Sequence, residues 1–140
     1  MNFSQLMALA SGHAEARILQ SALSLGIFEA LENAALASAA IATKLHLDPK
    51  ATELLLNALA ALDILEKRAP AFSLTEPAKQ YLLRSSPRYV GGMILFEGLS
   101  WQAWKELPEA IRSGKPARPA NMYQEDPGET KIFIDAMILS

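Results

Sequence analysis

Residues 38–83 read SAAIATKLHLDPKATELLLNALAALDILEKRAPAFSLTEPAKQYLL, and this stretch decides the fold. Ile41, Ala42 and Leu45 mark a short helix, and His46-Leu47 form a turn. Asp48 caps a second helix with Pro49 at its first position, where the missing N–H costs no hydrogen bond. Ala51, Leu54, Leu55, Ala58, Leu59 and Leu62 then recur at helical spacing, which predicts one apolar face. Two short runs, 63–67 and 71–74, flank Arg68-Ala69-Pro70 and predict a β-hairpin. Thr75 caps a third helix with Pro77 in its first turn. Helix, turn, helix, hairpin and helix together predict a winged helix-turn-helix, mainly α with a small β-hairpin wing.

Upstream, Phe3 to Leu31 reads as one long helical region with a break expected at Ser11-Gly12. Leu6, Leu9, Ala14, Ile18, Ala22 and Leu25 make it apolar over more than one stripe, so it needs cover on two sides. Two readings satisfy that: a central core helix, or a helix that packs against its copy in a second subunit. Downstream, Ser86-Pro87 predicts the start of a helix carrying Val90, Met93, Ile94 and Phe96. Gly91-Gly92 inside it would cost about 1 kcal/mol each relative to Ala, which calls for another helix crossing closely there. A further helix holds Trp101, Trp104, Leu107 and Ile111 and stops at Gly114 with Pro116 beyond. Residues 115–124 form a two-proline loop, and Asp126-Pro127-Gly128-Glu129 opens a last helix by a capping-box pattern. Ile132, Phe133, Ala136, Met137 and Leu139 make its apolar face, which runs to Ser140 without a stop signal and suggests a chain cut from something longer. The expected division is 1–85, the winged helix with its helical arm, and 86–140, a helical extension.

Composition narrows the function. Of 140 residues 51% are hydrophobic and 20% charged, so part of the apolar surface of this small helical chain should face a partner. The net charge of −2 argues against a dedicated nucleic-acid binder. Residues 48–62 offer Lys50, Thr52, Glu53 and Asn57 among Ala and Leu, too little positive charge for a recognition helix. A winged-helix regulator that binds DNA remains the alternative reading. With no cysteine there is neither a disulfide nor a thiolate metal site, which fits the cytoplasm. No apolar run approaches the roughly 20 residues of a membrane span, so no membrane partner is expected. His13 and His46 are too far apart in sequence for a metal pair, and no glycine-rich loop follows a strand. No catalytic residue, bound cofactor or metal is therefore expected in this segment, which should not be an enzyme by itself.

Five pieces carry a family resemblance: HAEARILQSALSLGIFEAL (13–31), ATKLHLDPKATELLLNALAALDILEK (42–67), FSLTEPAKQYLL (72–83), WQAWKELPEAIRSGKP (101–116) and DPGETKIFIDAMILS (126–140). In order and spacing they resemble the N-terminal domain of S-adenosylmethionine-dependent O-methyltransferases of the caffeic acid and hydroxyindole type, including bacterial members. The resemblance implies a homodimerisation domain that also walls the acceptor pocket, with S-adenosylmethionine bound by a catalytic domain beyond Ser140. It implies an aromatic or polyketide methyl acceptor. Phe133 and Met137 match the family's Phe-x-x-x-Met pair, which packs on the acceptor ring, although a Phe/Met stripe is also ordinary core. Met93, Phe96, Trp101 and Met122 are further substrate-wall candidates.

Overall fold

The computed structural model describes residues 1–117 and 126–138. The chain divides into two compact units, Met1–Tyr89 and Val90–Ser140. The first is built on α1 (Phe3–Leu25), α2 (Ile27–Ala30), α3 (Ser38–Leu45) and α4 (Pro49–Ala61), then the hairpin β2 (Leu65–Arg68) and β3 (Ala71–Leu74), and α5 (Glu76–Tyr81). A two-residue strand, β1 (Leu36–Ala37), joins the hairpin to give an antiparallel sheet of order β1-β3-β2. The winged helix-turn-helix is therefore present, with one strand more than the sequence announced.

Local chemistry accounts for the joints. His46 takes the left-handed conformation (φ 57°) at the end of α3, and the Leu47 N–H closes back on the Ala42 carbonyl at 2.9 Å. The Asp48 carboxylate accepts from the Ala51 N–H at 2.8 Å to start α4. Asp63 (φ 59°) ends it in the same way as His46, with the Ile64 N–H on the Leu59 carbonyl at 3.0 Å. The Thr75 hydroxyl does two jobs: it donates to the Ile64 carbonyl at 2.9 Å and accepts from the Ala78 N–H at 3.3 Å. It thus caps α5 and ties that helix to the start of the wing.

The core lies where α2, α3, α4 and the sheet meet. Phe28, Phe72, Ile27, Ile41, Leu56 and Leu59 are its largest fully buried side chains. Along β3 burial alternates, with Phe72 and Leu74 inward, and the register sets Leu65 opposite Leu74 and Lys67 opposite Phe72.

Four expectations need correction. First, α1 is unbroken through Ser11-Gly12, and the Ser11 hydroxyl bonds back to the Met7 carbonyl (2.9 Å) within the helix. The real break is Gly26 (φ 80°), a conformation only glycine takes at little cost. Second, α4 buries Thr52, Leu56 and Leu59, while Ala51 and Leu54 face outward. Third, no helix starts at Pro87. The Ser86 hydroxyl is drawn to the Gln80 carbonyl (2.5 Å) and accepts from the Arg88 N–H (3.2 Å), which makes a turn there. Fourth, the tryptophan-bearing helix is two helices broken at Glu106.

In the second unit these are α6 (Gly91–Gly98), α7 (Trp101–Lys105), α8 (Leu107–Ser113) and α9 (Pro127–Ile138). Gly114 (φ 72°) ends α8 as expected, and Asp126 opens α9 by accepting from Gly128 (2.7 Å) and Glu129 (3.2 Å). Most of the 115–124 loop, including Met122, lies outside the described residues, as do Leu139 and Ser140.

Candidate functional site

Two helices of the second unit form an apolar cleft of about 200 Å³, and a glycine brings them together. A Cβ at Gly92 would stand 3.3 Å from the Asp135 carbonyl carbon, so α9 lies against the start of α6 where only hydrogen fits without a shift. This is the crossing that the paired glycines called for. Each helix then presents the same spacing, i, i+3 and i+4: Met93, Phe96 and Glu97 from α6, Phe133, Ala136 and Met137 from α9. The Phe96 and Phe133 rings meet at a centroid distance of 5.7 Å, tilted by 55°, a favourable aromatic pairing. Ala136 is buried at the base, while Met93 and Met137 stay exposed and line the cleft with polarizable thioethers. Gly92→Leu is expected to destabilise this unit by about 1–3 kcal/mol through overpacking. Ring-current shifts of the Met137 methyl should change with it; an unchanged spectrum and melting curve would show that the crossing is not tight.

Four of the six predicted substrate-wall residues, Met93, Phe96, Phe133 and Met137, therefore converge. Trp101 opens α7 and does not line this cleft, and Met122 lies outside the described residues. The sequence reading missed Glu97 and the small Ala136 in the lining; both were discoverable as the i+4 and i+3 neighbours of Met93 and Phe133. Two larger clefts, about 400 and 480 Å³, lie in the first unit. Their linings mix charges, with Glu29, Lys44 and Arg84 in one and Glu32, Glu66, Arg68 and Lys79 in the other. Neither holds a predicted site residue. Among the described residues no group of three or more His, Asp or Glu is placed to hold a metal, and no helix is long and apolar enough to cross a membrane.

The face that a winged helix would turn to DNA is chemically poor. On α4 it shows Lys50, Glu53 and a leucine, Leu54, that is 64% exposed. Lys67 of the wing donates to Asn57 Oδ1 at 2.8 Å and sits 5.3 Å from the centre of the Phe72 ring. Among the described residues α4 offers a duplex one lysine, one carboxylate and an exposed leucine there, too few cations for phosphate binding.

The long first helix is the other unusual surface. Every residue from Met1 to Arg17 is exposed, among them Phe3 (78%), Leu6, Met7 and Leu9 (70%). Residues 7–84 match the model of the O-methyltransferase dimerisation domain. The chain belongs to that family. Acetylserotonin O-methyltransferase of Bos taurus is 37% identical over 120 residues, which cover 81% of this chain and 35% of the relative. The 3-hydroxy-5-methyl-1-naphthoate 3-O-methyltransferase of Streptomyces sahachiroi is 31% identical over 126 residues, 86% of this chain and 36% of that one. The crystal structure of human N-acetylserotonin methyltransferase in complex with SAM superimposes with a TM-score of 0.86 at 27% identity, covering 98% of this chain and 45% of that one. The chain thus spans about a third of the length of the curated relatives it matches. The family match ends at Arg84, before the α6/α9 cleft begins.

S-adenosylmethionine, which the family implies, does not fit the described residues. The three strands of the domain are antiparallel, and β1 and β3 enter their helices through Ser38 and Thr75. A nucleoside cofactor is ordinarily held by a glycine-rich turn between a parallel strand and a helix, and none is formed here.

Proposed function

We propose that this chain joins two copies of a small-molecule O-methyltransferase that uses S-adenosylmethionine through its dimerisation domain, and that its α6/α9 cleft forms one apolar wall for an aromatic or polyketide acceptor. The observation that carries the pairing is the bare first half of α1: fifteen consecutive exposed positions from Phe3 to Arg17, among them the large apolar side chains Phe3, Leu6, Met7 and Leu9. A solitary chain would leave that surface in water at a cost that burial against a twofold copy removes. The acceptor wall rests on the cleft itself, where two aromatic rings and two thioethers suit a flat ring. The named relatives act on a substituted indole and a naphthoate, both fused aromatic bicycles. Methyl transfer is assigned to no residue of this chain.

The pairing is tested by co-expressing a tagged and an untagged copy of the chain. The tagged copy should retain the untagged one through washes of high salt, since an apolar interface is insensitive to screening. Loss of the untagged copy at every salt concentration would overturn the reading.

A further inference from the structure

The lining of the α6/α9 cleft is apolar except at one place. Glu97 lies one helical turn beyond Met93 and beside Phe96, and it is the single charged residue among the six that line the cleft. Among the described residues no hydrogen bond or ion pair engages its carboxylate. The neighbouring charges of α9, Lys131 and Asp135, are paired with each other at 2.5 Å. A carboxylate held at the rim of an aromatic and thioether surface attracts a positive charge or an N–H or O–H donor, and repels another anion.

We infer that Glu97 sets the charge preference of this cleft, favouring aromatic ligands that carry a cation or hydrogen-bond donor beside the ring and disfavouring aromatic carboxylates. The inference rests on the reading of the cleft as an acceptor wall. The volume of about 200 Å³ is below the roughly 300–1,000 Å³ of pockets for drug-sized ligands, so a ligand of one or two rings would occupy it. A substituent on such a ring then lies within reach of the rim rather than deep inside. Glu97 is exposed, so water screens it and the effect is one of selectivity, not of tight binding.

The test uses the whole chain with its methionine methyls labelled with carbon-13. Three naphthalene probes are titrated at neutral pH and low salt, bearing a methyl, a methylammonium or a carboxylate group. The neutral probe should shift the Met93 and Met137 methyls and leave those of Met1 and Met7 in place. The ammonium probe should bind about two- to fivefold more tightly than the neutral one, and the carboxylate weaker by a similar factor. Glu97→Gln should bring the three within about twofold of one another. If the neutral probe binds but the order is absent, or survives Glu97→Gln, the inference fails while the acceptor wall stands. If the neutral probe moves neither methyl, the acceptor wall falls and the inference falls with it.

Discussion

The double variant Leu6→Glu/Leu9→Glu is expected to sediment as a monomer under conditions where the native chain is a dimer. Both leucines are exposed in the single chain, so the fold of each copy loses almost nothing, within about 0.5 kcal/mol. The paired state loses much more. In a twofold interface each substitution counts twice, so four leucines leave the contact. Full burial of a leucine contributes about 1.5–3 kcal/mol, and half of the lower figure for all four is already about 3 kcal/mol. That raises the dissociation constant more than about a hundredfold. The incoming carboxylates add a further penalty, because an apolar interface offers them no partner. Circular dichroism of the variant should match that of the native chain, which separates lost pairing from lost folding. A variant that stays dimeric at the native concentration would remove α1 from the interface.

Phe28→Ala is expected to act in the opposite way, on the fold rather than on the pairing. Phe28 sits in the four-residue helix α2 and is fully buried, as are Ile27, Ile41, Leu56, Leu59 and Phe72. Truncating a buried phenylalanine to alanine costs about 3–5 kcal/mol, the lost transfer free energy plus that of the cavity left behind. Against a typical stability of about 5–15 kcal/mol this is a large share. Urea unfolding at fixed protein concentration, needed because a dimer's stability depends on it, should show the midpoint fall accordingly. Leu54→Ala serves as the control: truncating an exposed leucine of α4 should change the unfolding free energy by less than about 0.5 kcal/mol. A loss below about 1 kcal/mol at Phe28 would contradict the placement of the core.

How much of this was legible in the residues depended on how local the cause was. Asp48, Thr75, Asp126 and Gly114 act on backbone groups within four positions, or at their own φ, and each stands where its residue type announced. Ser86-Pro87 carries the same signature and misled, because the Ser86 hydroxyl is claimed by Gln80, six residues upstream. The face of α4 was ambiguous for a different reason. Leu54, Leu55 and Leu56 are consecutive, with alanines around them, and the choice of Leu56 and Leu59 as the buried pair belongs to α3 and the sheet rather than to the helix. Strand β1 has two residues and no pattern of its own; it exists because Leu36 and Ala37 meet Phe72 and Ala71 more than thirty positions away. Gly12 looked like a break and is not, since 23 residues rich in Ala and Leu outweigh one glycine.

The cleft shows both sides of this in one place. The spacing of Met93 and Phe96, and of Phe133 and Met137, could be read from each helix alone. That the two stripes face one another follows from Gly92 meeting Asp135, a contact across 43 positions of sequence that the paired glycines hinted at without naming the partner. Glu97 was passed over because a lone acidic residue on a helix is ordinarily a solvated one. Only its apolar surroundings make it distinctive.

The claim that organises the rest is that this segment alone carries the contacts of a dimer. Sedimentation equilibrium of the native chain at micromolar concentration tests it most directly. The expected species has twice the 15.2 kDa mass of the chain and persists at high salt. A well-folded monomer at that concentration would contradict it, and α1 would then have to be explained without a second copy.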